Sequence, residues 1–224
     1  MLNRQRGKPG PYPEMPVPQE LDYDMWCGPA PRRPYNPNKT AAGVWRHFWD
    51  YSGTDSESIH QLDVANWVIS TLTGRIHPIS VYSKGGVRYP ERVADLPDSM
   101  HTLFDWGDIT LSFEVDWWSS LIKVPRETVR WSDSRFPDWK NTGTRIELYG
   151  TKGMMYLGRH GGGWQTFDQN GEPGAELAGI MPINEHIEDF LECIRTRQTP
   201  KGDIEEAQNS HVLAHMDYIS HRVG

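Results

Sequence analysis

The run HTLFDWGDITLSFEVDW, His101 to Trp117, decides how this chain folds. In its second half Leu111, Phe113 and Val115 alternate with Thr110, Ser112, Glu114 and Asp116, a period of two that buries one face of a β-strand. The pair Gly107-Asp108 divides the run into two strands and places glycine where a tight turn demands positive φ, so the spacing predicts a hairpin. A second strand pair is expected on either side of Gly150-Thr151-Lys152-Gly153, from Thr144 to Tyr149 and from Met154 to Leu157. Trp164 to Phe167 is a further short strand, closed by Asp168, Asn170 and Gly171.

Helices flank this β-rich middle. Ile59, Leu62, Ala65, Ile69 and Leu72 recur at three- and four-residue steps between Ser58 and Leu72, making one apolar stripe that Gly74 terminates. Ile187, Phe190, Leu191 and Ile194 form a second stripe within Ile183 to Arg195. Asp203 with Glu206 three residues later has the pattern of a capping box for a last helix running to about Val223. The order helix, strands, then two helices predicts an α+β fold: a large open, mostly antiparallel β-sheet with helices on one face. The uncovered face of such a sheet calls for an oligomer contact or a further domain.

Residues 1–40 contain nine prolines between Pro9 and Pro37, each of which removes a donor and fixes φ. No helix or central strand is expected there. The reading is an extended leader over 1–40 that wraps another surface, followed by an α+β domain over 41–224.

Composition removes several function classes. The formal net charge of -7, with no basic block, argues against nucleic-acid binding. No apolar run approaches the roughly 20 residues of a membrane-spanning helix, and no signal pattern opens the chain. Cys27 and Cys193 stand far apart in no metal or redox spacing, which fits structural thiols in a reducing, cytoplasmic setting, although spacing alone leaves a disulfide open. His211 and His215 are four apart on the last helix without the Glu of a zincin motif, so no metal site is expected.

The densest collection of reactive side chains lies from Trp45 to Asp63, just before and into the first long helix. His60 and Asp63, three apart, share a helix face, and a histidine beside a carboxylate is suited to general-base work near neutral pH. Trp45, Arg46 and Trp49 are candidate pocket walls, with core filling as their equal alternative. Arg88, in the turn Gly85-Gly86-Val87-Arg88-Tyr89, is a candidate for oxyanions or sugar hydroxyls. Arg159 and His160, before the glycine triplet 161–163, are candidates at the cleft mouth.

The stretch WDYSGTDSESIHQLDVANWVI (residues 49–69) resembles the helix that opens the C-terminal domain of the Gfo/Idh/MocA oxidoreductases. LDYDMWCGPAPRRPYNPN (21–38), RIELYGTKGMMYLGRHGGGW (145–164) and the closing segment from His186 to Ile219 resemble the same family in the same order. The resemblance implies an NAD(P)-dependent enzyme acting on a sugar, cyclitol or derivative, with a nucleotide-binding domain ahead of an α/β domain whose sheet builds homo-oligomers. It implies that His60 is the proton-transferring group. The family's aspartate position falls on Ser56, so Asp55 or Glu57 is expected to take its place beside Asp63. No G-x-G-x-x-G occurs in the chain, which is therefore expected to be a substrate-side half that binds neither NAD nor NADP alone. Two other readings remain: a non-catalytic sugar-binding or oligomerisation module, and a nucleotide-independent lyase or hydrolase reusing the cleft.

Overall fold

The computed structural model describes residues 2–3, 13–40, 45, 48–52, 59–88, 96–116, 145–158, 163–179 and 182–224. In chain order the elements are β1 (Leu2–Asn3), α1 (Tyr23–Cys27), α2 (Pro37–Thr40), α3 (Trp49–Ser52), α4 (Ile59–Thr73), β2 (Ser80–Gly86), β3 (Ser99–Asp105), β4 (Thr110–Asp116), β5 (Arg145–Gly150), β6 (Gly153–Gly158), β7 (Trp164–Asp168), β8 (Pro173–Leu177), α5 (Ile183–Thr196) and α6 (Ile204–Val223).

The fold is α+β. Its described strands form two four-stranded sheets, ordered β1-β4-β3-β2 and β5-β6-β7-β8. Every pairing is antiparallel except β1 with β4. The β3–β4 hairpin turns at Gly107, whose φ of 91° confirms the need for glycine there. Strands β2 and β8 carry weaker alternation and were not marked by the sequence pattern. Each is fixed by its neighbour: β2 along all seven residues of β3, and β8 against β7 with a register shift between Gln165 and Phe167.

Helices α4 and α6 pack on one face of the first sheet. Leu62 and Ile69 of α4, Leu213 and Ala214 of α6, and Phe104, Trp106, Phe113 and Val115 from the hairpin make one buried cluster. The alternation read from sequence is therefore the pattern of that face: Met100, Thr102 and Phe104 point inward, while His101 and Leu103 point out. A polar knot joins α6 to the sheet inside this layer. Asp217, fully buried, accepts from Ser83 Oγ at 3.0 Å and from Thr102 Oγ1. Ser220 Oγ accepts from the Ser83 backbone N–H at 3.0 Å and donates to the Val81 carbonyl at 3.1 Å.

Residues 13–40 depart from a purely extended leader. The window from Gln19 to Gly28 has no proline, and α1 forms inside it, with the Asp22 side chain accepting the Met25 N–H at 2.9 Å as a helix cap. Tyr23, Cys27 and Tyr35 build a small core of their own with Val17, Leu21 and Trp26 beside it. Cys27 and Cys193 are both free thiols. Helix α5 has the expected amphipathic stripe, yet Ile187, Phe190, Leu191 and Ile194 are each about half exposed. Its C-cap Arg197 takes the left-handed conformation, φ 61°, and donates its N–H to the Cys193 carbonyl at 2.8 Å. Asp203 caps α6 through the Glu205 N–H.

Candidate functional site

Helix α4 organises the candidate site. His60 lies in its first turn with an exposed side chain. Asp63, one turn further on, uses its Oδ1 to accept from Ser210 Oγ of α6 at 2.6 Å. That bond ties α4 to α6 and gives Asp63 a positioning role for the helix that carries His60. Asp55 and Glu57, the candidate carboxylate partners of His60, lie outside the described residues, as do Arg46, Arg159 and His160.

Trp45 is half-buried and its carbonyl accepts the Phe48 N–H at 3.1 Å, leading the chain into α3. Trp49 opens α3 and packs beside the buried cluster of Leu96, Met100 and Tyr218. The Arg222 guanidinium lies over its ring, 4.6 Å from the centroid. Arg33 is ion-paired with Asp50 of α3, which joins the leader to this region. Arg88 is exposed, and its backbone N–H donates to the buried Asp98 carboxylate at 2.7 Å. Trp49 and Asp50 therefore share a wall with the end of α6, while His60 and Asp63 face elsewhere on α4.

Two cavities flank these residues. One, of about 450 Å³, opens between α4, β4 and β5. Gln61, only 6% exposed, lines it, and neither atom of its amide has a hydrogen-bond partner among the described residues. Opposite stand Ser112 and Glu114 of β4 and the alternating Arg145, Glu147 and Tyr149 of β5. Glu147 accepts from both Arg145 and Tyr149. Burial works against the Glu147 carboxylate, but those two hydrogen bonds and the Arg145 charge outweigh it and hold the carboxyl below the usual glutamate range. The same hydrogen bond, with some burial, pushes the Tyr149 phenol up to about 12. A buried amide without a partner costs about 1–3 kcal/mol. The sequence reading passed over the β5 triad. Its signal was the i, i+2, i+4 spacing of Arg, Glu and Tyr on a strand. The second cavity lies at the end of α6, beside Trp49.

Among the described residues no three His, Cys, Asp or Glu side chains gather for a metal ion. The rings of His211 and His215 lie 6.2 Å apart. Burial, and secondarily the neighbouring His211, lower the pKa of His215. No described helix is long and apolar enough to cross a membrane. A dinucleotide pyrophosphate needs a glycine-rich turn from a parallel strand into a helix N-terminus. The parallel pairing among the described residues joins only Leu2–Asn3 to Val115–Asp116, and among those residues no glycine-rich turn leads from a strand into a helix N-terminus.

Comparison with known proteins agrees with this architecture. Residues 7–112 match the family described as "Oxidoreductase family, C-terminal alpha/beta domain", the Gfo/Idh/MocA oxidoreductases. The match covers a little under half of the chain. No curated protein sequence matches the chain. Among solved structures, an oxidoreductase from Thermotoga maritima is similar at 17% identity and a TM-score of 0.54, over 80% of this chain and 48% of the other. The WlbA dehydrogenase from Bordetella pertussis, solved with NADH and UDP-GlcNAcA, is similar at 18% identity and a TM-score of 0.50, over 81% of this chain and 47% of that one. The oxidoreductase yvaA from Bacillus subtilis is similar at 15% identity and a TM-score of 0.50, over 84% and 53% respectively. At such identities the likeness is one of fold. The chain spans about half the length of these structures.

Proposed function

We propose that this chain provides the substrate side of an NAD(P)-dependent oxidoreductase acting on a sugar, cyclitol or related polyol. The observation that carries the reading is His60: it stands exposed in the first turn of α4, within the stretch that matches the family's C-terminal domain. In this role His60 exchanges the proton of the substrate hydroxyl as the carbinol carbon is oxidised or the carbonyl reduced. Asp63, bonded to Ser210, sets the helix, and Asp55 or Glu57 orients the imidazole or a substrate hydroxyl. Trp45 and Arg46 are candidates to contact the substrate in this reading, as are Arg159 and His160, whereas Trp49 and Arg88 lie by the separate cavity at the end of α6. Because no glycine-rich strand-to-helix turn occurs among the described residues, the reading places NAD or NADP on protein outside them. The two free thiols suit a cytoplasmic setting.

The outward face of the first sheet supports self-association in the same reading. Tyr82 and Leu103 sit directly opposite one another across β2 and β3, and each is about half exposed. Tyr82→Glu with Leu103→Glu is expected to lower the molar mass measured by light scattering.

The activity test is a panel of sugars and cyclitols with NAD, with NADP and with neither, followed by nicotinamide absorbance and product analysis. Turnover dependent on nucleotide that falls about 10²–10⁴-fold in His60→Ala supports the reading. Unchanged turnover in that variant refutes the role of His60. Product without nucleotide favours a lyase or hydrolase, and binding without product favours a sugar-binding module.

A further inference from the structure

The cavity at the end of α6, about 460 Å³, is walled by Trp49, Asp50, Arg33, Tyr218, His221 and Arg222. It includes neither His60 nor Asp63, and it brings together charges that the sequence scatters over four segments. Two arginines stand in the wall, Arg33 and Arg222, and the charges of Lys84 and Arg88 act on His221 from outside it. Two carboxylates oppose them, Asp50, ion-paired with Arg33, and Asp98, which takes the Arg88 backbone N–H. The wall itself sets two arginines against the single carboxylate of Asp50, in a chain of net charge -7.

The polar groups are arranged for an acceptor. Arg222 holds its guanidinium carbon 4.6 Å from the centroid of the Trp49 ring. A cation–π contact leaves the in-plane N–H donors of a guanidinium able to bond a planar or tetrahedral oxyanion. Nδ1 of His221 is buried and has no hydrogen-bond partner among the described residues. Burial first, then the charges of Lys84 and Arg88, keep this imidazole easily deprotonated, and a neutral ring can still donate one N–H. Trp49 and Tyr218 supply the apolar remainder of the wall.

We infer that this cavity is a binding site for a small ring-bearing organic acid, whose carboxylate or phosphate is held by Arg222 and Arg33 beside His221. A neutral polyol would fit the same volume and leave the cationic excess uncompensated. The inference goes beyond the proposed redox function and does not depend on it, because it is a statement about binding without nucleotide or turnover.

The test is titration of the whole chain with glucuronate, glucose 6-phosphate, inorganic phosphate and glucose, read by calorimetry and by tryptophan fluorescence, at low and high salt. One or both sugar acids should bind roughly tenfold or more tightly than glucose, the value of one charge-assisted hydrogen bond, and should weaken with salt. Preference for glucuronate identifies a carboxylate ligand and preference for glucose 6-phosphate a phosphate ester. Arg222→Ala and, separately, His221→Ala should each lower that affinity roughly tenfold. Lys201→Ala, in the α5–α6 connection, should leave it unchanged, and melting curves check that each variant is folded. Equal affinity for glucose and the acids, or no loss in folded Arg222→Ala and His221→Ala, overturns the proposal. So does inorganic phosphate binding as tightly as both sugar acids, since the ring would then contribute nothing.

Discussion

Replacing Asp217 by alanine should cost the fold a large part of its stability. Its Oδ1 faces the hydroxyls of Ser83 and Thr102, which also stand 2.8 Å from each other. Two hydroxyl protons serve three contacts, so both can point at the carboxylate, or one at the carboxylate and one at the other hydroxyl. A hydrogen bond to a charged group is worth about 1.5–3 kcal/mol, and two give about 3–6 kcal/mol. In Asp217→Ala the two hydroxyls re-pair with each other and recover about 1 kcal/mol, which leaves a net loss of roughly 2–5 kcal/mol. Against a typical domain stability of about 5–15 kcal/mol, that is readily measured by urea unfolding followed by circular dichroism. The midpoint should fall with little change in slope. Thr102→Val should cost less, about 1–3 kcal/mol, because Ser83 still serves the carboxylate. The triple change Asp217→Leu, Ser83→Ala, Thr102→Val removes donors and acceptor together and should be milder than Asp217→Ala alone. A loss below about 1 kcal/mol in Asp217→Ala would show that the knot does not hold α6 to the sheet.

Three further substitutions have defined outcomes. Glu147→Gln should lower stability at neutral pH and by less in acid. The folded carboxyl titrates below its unfolded value, so its contribution is present above the unfolded pKa and is lost as pH falls through the folded one, a pattern read from melting temperature against pH. The same variant should bring the Tyr149 phenol down from about 12 toward the ordinary tyrosine value, seen in an ultraviolet titration. His215, whose folded pKa is lowered, binds its proton more readily when unfolded. Stability should therefore drop as pH falls below the ordinary histidine range, and His215→Gln should flatten that slope in chemical unfolding. Phe104→Ala, at a fully buried position in the core between hairpin and helices, should cost about 3–5 kcal/mol in urea unfolding.

Periodicity carries over to structure wherever one face of an element is buried. The stripe from Ile59 to Leu72 became α4, and the alternation around Gly107-Asp108 became β3 and β4, because a half-buried helix or strand must repeat its apolar residues at 3.6 or 2. Strand β8 escaped detection for the opposite reason: Pro173 to Leu177 is exposed throughout, so burial imposed no pattern on it. The short helix α1 was hidden by the surrounding prolines, although Asp22 and the proline-free window were its local signals.

The sequence by itself determined the α+β class, the caps and turns, and the resemblance that singled out His60, since all of these follow from neighbours a few residues apart. Tertiary structure alone decided that Asp63 is bonded to Ser210, that Gln61 faces the Arg145–Glu147–Tyr149 row, and that Arg222 lies on Trp49. Those partners are separated by about eighty to over one hundred and seventy residues, and side chains so distant meet only when the buried layer between α4, α6 and the hairpin fixes where each element lies.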